Sequence, residues 1–303
     1  MVAAHPRWSF CAFHDTHLGG AGTGVWNNRM LLDEALPLTR ALAERIGSEG
    51  HAFALLLGDV TERGDQPGFQ ALAEALAPLP FPVYPAVGNH DAVHPESRAW
   101  LRTALQPPGP SQGLIYYDFV HQGLYFALLD CVWQLPDGSR EPDYKPTRAG
   151  QGMAVPDDLI DWLDAGLRQH ATLPAVVCLH FPLLPVRDSK QARGAKDAGP
   201  LGNRDDLLAV LDRHPNVRAV LAAHMHLAQV ERRRDVVHAT GAALVEWPHV
   251  YRRFDVFADR VRVTTHTVAD EATRVRSLIP GHEWAAGDAD EQAFEILLGF
   301  SKQ

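Results

Sequence analysis

The sequence predicts an α/β fold organised around mixed sheets. Two observations predict it. Short apolar runs alternate with stretches of helical period as far as residue 224, and from 228 onward the pattern turns to strands. Trp8–Phe13 is a strand that feeds a polar loop. Residues 32–47 carry Leu32, Ala35, Leu36, Leu42 and Ile46 at helical spacing despite Pro37, and Gly47 and Gly50 end that helix. Residues 52–58 form a buried strand ending in Gly-Asp, 69–79 a helix stopped by Pro78 and Pro80, and 81–88 another strand.

Residues 113–130 read as two strands around a His-Gln-Gly turn, followed by a Pro/Gly-rich polar loop at 136–152 that is long enough for a lid or substrate wall. Pro156 opens a helix carrying Leu159, Ile160, Leu163 and Leu167. Next come a strand at 175–180, a second long loop at 183–204, a helix at 205–214 and a strand at 217–224. Strands are then expected at 228–234, 236–240, 243–247, 251–259 and 260–268, the last two as a hairpin. A single domain over 1–268 precedes a polar tail, 269–303, ending in an amphipathic helix around Phe294, Ile296, Leu297 and Leu298.

Bulk properties narrow the function classes. The 303 residues are 46% hydrophobic and 21% charged, as expected of a globular chain that needs no disulfide staple. The formal net charge of -9 argues against nucleic acid as a partner, because that binding needs clustered Lys and Arg. It does not exclude a small anionic substrate, since bound cations reverse a local field. The three cysteines lack metal or redox spacing and read as reduced thiols. No apolar stretch suits a membrane span, and the first residues lack the pattern of a secretory leader. A cytoplasmic protein is therefore expected, with homo-oligomerisation left open.

Five short blocks follow apolar strands, where open α/β sheets place ligands. They are Asp15-Thr16-His17, Gly58-Asp59 through Gly64, Gly88-Asn89-His90-Asp91, His180, and His224-Met225-His226. Residues i and i+2 of an extended segment face one side, so Asp15 with His17, or His224 with His226, could share a cation. Alone, each block has an ordinary structural reading as a turn or a hydrogen-bonded strand end. Together they offer two carboxylates, an amide and four imidazoles, a set that suits Zn, Mn, Fe, Co or Ni and is too large for one tetrahedral ion.

The ordered pattern D-x-H, G-D-x(4)-G, G-N-H-D, H and H-x-H resembles the calcineurin-like metallophosphoesterases. It is most similar to their bacterial class III cyclic-nucleotide and glycerophosphodiester phosphodiesterase branch. One departure is Ala223, where the family usually has Gly. The resemblance implies a four-layer α/β/β/α sandwich of mixed sheets, with 1–268 as the catalytic domain. It implies two divalent or mixed-valence transition ions (Mn, Fe, Zn or Co). Asp15, His17 and His226 would hold the first, Asn89, His180 and His224 the second, and Asp59 would bridge them. The implied activity is hydrolysis of a small phosphodiester or nucleotide by a hydroxide shared between the ions. A phosphomonoesterase on the same site and a non-catalytic scaffold are the alternatives.

His90 follows a ligand position and is expected to hydrogen-bond the phosphoryl oxygen or protonate the leaving group. Asp91 either orients His90 or caps the turn. Asn28 and Arg29, after the Gly-rich loop, and Arg63 are expected to reach the substrate. Asn27, Tyr144, Lys145 and Arg187 also lie on loops that could rim the site.

Overall fold

The computed structural model describes residues 5–145, 152–197 and 201–299. Two six-stranded mixed sheets form its centre. The first runs in the order Ala293–Leu297, Arg260–Thr267, Val250–Val256, Trp8–Phe13, Ala54–Leu57, Val83–Ala86. The second runs Gln229–Arg233, Val236–Thr240, Val217–Ala222, Ala175–Cys178, Leu124–Leu128, Tyr117–His121. Trp8–Phe13, Ala54–Leu57 and Val83–Ala86 are parallel neighbours, as are Leu124–Leu128, Ala175–Cys178, Val217–Ala222 and Val236–Thr240.

The pleat explains why the strands are apolar on both faces. Leu124, Phe126 and Leu128 join the core between the sheets, whereas Tyr125 and Ala127 face a second cluster under the helices Asp157–Gln169 and Arg204–Arg213. Phe10 and Phe53, flanking the first sheet, meet Phe126 of the second with ring centroids 5.4 and 5.3 Å apart. The helices Ala35–Gly47, Gln66–Leu76 and Ser97–Leu105 bury Leu42, Ile46, Leu72, Leu76 and Leu101 against the first sheet. The layers are thus helix, sheet, sheet, helix.

Local signals set the element ends. The second helix begins at Gln66 rather than 69, because Asp65 caps it by accepting from Gly68 N at 3.0 Å and Pro67 suits the first turn. The His-Gln-Gly turn is a two-residue hairpin with Gln122 at φ 44° and Gly123 at φ 88°. The three cysteines are free and buried. No described helix is long and apolar enough to cross a membrane.

Two expectations need correction. The end of the chain is a strand rather than an amphipathic helix: Ala293–Leu297 pairs antiparallel with Arg260–Thr267, setting Ile296 opposite Val261 and Phe294 opposite Val263. Phe294, Ile296 and Leu298 are spaced by two and turn inward, while Leu297 points out. Residues 293–297 of the tail are therefore part of the first sheet. Residues 243–247 are buried but join no ladder. Instead they run beside the first motif, with Leu244 N donating to His14 O and Val245 N to Asp15 O, both at 3.2 Å.

Candidate active site

All five motif blocks leave the C-terminal ends of parallel strands, and the two sheets bring those ends together. Backbone bonds tie the blocks side by side. Asp15 N donates to Gly58 O, His17 N to Asp59 O and Ala223 N to His180 O, at 2.9–3.1 Å. Asp15, His17, Asp59, His224 and His226 all adopt left-handed backbone, with φ between 47° and 70°. Asp and His tolerate that region better than bulkier residues, yet each position carries strain that the surrounding contacts must outweigh. Gly88 fits because a side chain there would collide with Asp59 Oδ1, 2.1 Å from an ideal Cβ. Ala223 keeps a negative φ, so the extra methyl that departs from the family pattern brings no backbone strain.

Donor atoms of Asp15, His17 and His226 lie within 4.8 Å of one another, and so do those of Asp59, His180 and His224. Asn89 is buried beside them, and its Oδ1 has no hydrogen-bond partner. Asp15 Oδ1 and His180 Nε2 are likewise buried without an aligned hydrogen bond, having only His226 Nε2 at 3.5 Å and Asp59 Oδ2 at 3.1 Å, respectively, as close polar neighbours. Orphaned polar atoms of this kind are costly unless a ligand takes them up. His17 Nε2 faces His226 Nε2 at 3.3 Å, two ring nitrogens aimed at one point. The donor set and the orphaned atoms together fit transition-metal ions.

Outer partners fix the ring orientations. His17 Nδ1 bonds Glu62 Oε2 at 2.6 Å, His226 Nδ1 bonds Glu246 Oε2 at 2.8 Å, and His180 Nδ1 bonds Leu57 O at 2.8 Å. Each imidazole therefore turns Nε2 inward. His14 Nδ1 takes Asp15 Oδ2 at 2.7 Å, leaving Oδ1 for the site. His14, Glu62 and Glu246 were assigned no role from sequence. Glu62 lies within the Gly58–Gly64 block and was within reach, but Glu246 has no local signal. A third group, His17, Glu62 and His90, also has close donor atoms, but there Glu62 is engaged by the far nitrogen of His17. It serves as a support for that ring. Glu246→Gln is expected to weaken metal affinity by about 10–100-fold. Metal titration of the variant against wild type, with melting curves to confirm the fold, measures it.

Charge balance is written into the pocket. Burial opposes charge on His226, but Asp15 and Glu246 outweigh it and raise its pKa to about 10. Burial likewise opposes charge on His180, and Asp59 raises it to about 9. Burial, together with His180, lowers His224 to about 3. A metal ion entering among these groups must displace the protons on His180 and His226. Metal affinity should therefore rise as pH increases from 6 toward 9, with net proton release on binding near pH 7. Calorimetry in buffers of different ionisation enthalpy checks this, and proton uptake would contradict it.

The remaining expectations divide. His90 lines the cavity, with Nδ1 2.9 Å from Glu62 O and its ring centroid 4.8 Å from that of His17. Asp91 does not orient it. The Asp91 carboxylate is fully buried and accepts from the backbone N–H of Val60, Thr61 and Gly88 at 2.9–3.1 Å, so it clamps two motif loops together. Asn28 is buried away from the cavity, with Oδ1 accepting from Ile279 N at 2.8 Å. Arg29 donates to Leu278 O at 2.6 Å, and Arg63 is exposed outside the cavity lining. None of these three is among the described residues that line the cavity. Tyr144 does line the cavity, whereas Arg187 pairs with Glu231 and Glu291 elsewhere.

The cavity has a volume of about 350 Å³. Trp26, Met30, Trp133, Tyr144, Met153 and Phe181 form its apolar wall, and the His and carboxylate groups line the same cavity. That wall was largely invisible in the sequence, since its members come from five separate segments.

Comparison with known proteins follows the same lines. The family model for calcineurin-like phosphoesterases matches residues 15–228. A 3',5'-cyclic-nucleotide phosphodiesterase of Nostoc sp. is 26% identical over 188 residues, 62% of this chain and 60% of that protein. A glycerophosphodiester phosphodiesterase of Enterobacter lignolyticus is 26% identical over 191 residues, again 62% and 60%. The match thus spans about three fifths of the curated relatives' length. Among solved structures, a dimetal phosphatase from Danio rerio superposes with a TM-score of 0.69 at 17% identity, covering 88% of this chain and 98% of that one. That likeness establishes the fold.

Proposed function

The chain belongs to the calcineurin-like phosphoesterase family, and from that premise we propose that it is a phosphodiesterase acting on a small phosphodiester with the aid of two metal ions. The observation that carries this reading is the buried set of inward-facing donors, including orphaned atoms on Asp15, Asn89 and His180. Asp15, His17 and His226 would hold one ion, Asn89, His180 and His224 the other, and Asp59 would be shared. Bound there, such ions would supply charge to the phosphoryl oxygens and lower the pKa of a bound water toward neutral. Manganese, iron, zinc and cobalt all suit these donors.

The chain's own residues do the rest. The backbone N–H of His90 donates to Asp59 Oδ1 at 2.8 Å and steadies the shared carboxylate. The His90 ring spends Nδ1 on Glu62 O, which leaves Nε2 for the cavity. Burial disfavours its charge, but Asp59 and Glu62 together raise its pKa above the ordinary imidazole value. A protonated His90 can hydrogen-bond a phosphoryl oxygen and pass a proton to the leaving alkoxide. The apolar wall limits water around the reacting phosphate.

The test is hydrolysis of bis(p-nitrophenyl) phosphate. Activity should appear with manganese, disappear with EDTA and return on readdition of metal. A fully metal-loaded protein that leaves this diester and a panel of cyclic nucleotides and glycerophosphodiesters uncut would overturn the reading.

A further inference from the structure

We propose that the cavity selects phosphodiesters with an aromatic ester arm, and that Trp26 is the specificity-determining residue that reads it. The proposal rests on the phosphodiesterase reading and narrows its substrate class. Two observations lead to it. Six of the fourteen described lining residues are aromatic or thioether side chains, and no Lys or Arg is among them. Among the described lining residues the only side chains that can carry positive charge are imidazoles, which suits the single negative charge of a diester better than a phosphomonoester dianion. A flat apolar arm would exchange water for ring faces and Met side chains. The volume of about 350 Å³ falls within the range of small-ligand sites.

Trp26 is built as a fixed platform. It sits at the tip of a hairpin, Thr23–Val25 with Arg29–Leu31, and its ring centroid lies 6.4 Å from that of His226. The next residue, Asn27, donates to Met225 O at 2.7 Å, so the hairpin is tied to the loop between His224 and His226. Lys196 closes the other side: its backbone N–H reaches Asn27 Oδ1 at 3.0 Å, and its ammonium lies 4.8 Å over the Trp26 ring. From the C-terminal segment, Ile279 N donates to Asn28 Oδ1 at 2.8 Å and Ser277 Oγ to Arg29 O at 2.6 Å. A platform anchored from three directions loses little freedom when a ring stacks on it. Phe181, with its centroid 4.6 Å from that of His224, offers a second aromatic group beside the other ion position. Residues 277 and 279 lie beyond the 15–228 family match, so part of the bracing of this platform comes from chain outside the matched region, although Trp26 itself lies within it.

The experiment compares binding of diphenyl phosphate and dimethyl phosphate to manganese-loaded full-length protein by calorimetry. Wild type should bind the diphenyl ester at least about tenfold more tightly, the scale of one stacked ring pair. Trp26→Ala should lose most of that difference with metal content unchanged, and Trp26→Phe should keep most of it. Equal affinity of the two esters in wild type overturns the proposal, even if Trp26→Ala fails to fold. So does a folded Trp26→Ala with wild-type preference. The two readings fail separately. Turnover of bis(p-nitrophenyl) phosphate without aryl preference removes only this inference, and aryl preference without any turnover removes only the phosphodiesterase reading.

Discussion

Asp59→Asn is expected to reduce turnover of bis(p-nitrophenyl) phosphate by about 10³-fold or more, together with loss of at least one bound metal. Asp59 is buried, with Oδ2 3.1 Å from His180 Nε2 and Oδ1 accepting from His90 N at 2.8 Å. Burial alone would favour its neutral acid, but His180 and His90 hold the carboxyl far below the usual carboxylate range, so it stands ionised. Asparagine keeps the size, the acceptor oxygen and a tolerance of left-handed backbone, which Asp59 needs at φ 48°. What it removes is the charge that the proposed reading has both ions share. The fold should survive, as a melting curve would confirm. Elemental analysis finding two tightly held ions in a folded variant would show that this charge does not bridge them.

His90→Ala should separate chemistry from metal binding. His90 lies outside the two donor groups assigned to the ions, and its ring hangs from Glu62 O over the cavity. Its removal should leave metal content unchanged while kcat falls by about 10²–10⁴-fold, the range for a lost acid–base group. The drop should be steepest for esters with poor leaving groups, where the departing alkoxide most needs a proton. Full turnover of such an ester by the variant would exclude His90 from the reaction. The backbone N–H that supports Asp59 remains in the variant, so loss of metal would point to a structural role for the ring.

The balance between what was legible and what was hidden follows from the range of each interaction. The motif blocks were readable because each is short and sits at the end of an apolar run. Gly88 is readable for the same reason, its space being taken up by Asp59. The positions of Asn28, Arg29 and Arg63 off the described cavity lining were not legible, because sequence gives position along a loop but not the direction of a side chain. All three lie near motifs, yet Asn28 and Arg29 are spent on the C-terminal segment and Arg63 faces outward. The C-terminal strand was misread as a helix because a short apolar cluster satisfies both periods. The neighbouring strand Arg260–Thr267 decided between them by offering an open edge.

By itself, the sequence pattern determined the strand–helix alternation, the α/β class and the donor types that end the apolar strands, since those depend on local pattern and residue chemistry, while the two-sheet sandwich was implied by the family resemblance. Only the tertiary structure decided which carboxylate supports which imidazole and where the aromatic wall stands. Glu246 reaches His226 from twenty residues away and Ile279 reaches Asn28 from 251, through contacts made after both sheets close. Such pairings depend on distances in space, and a linear pattern of polar and apolar residues carries no record of them.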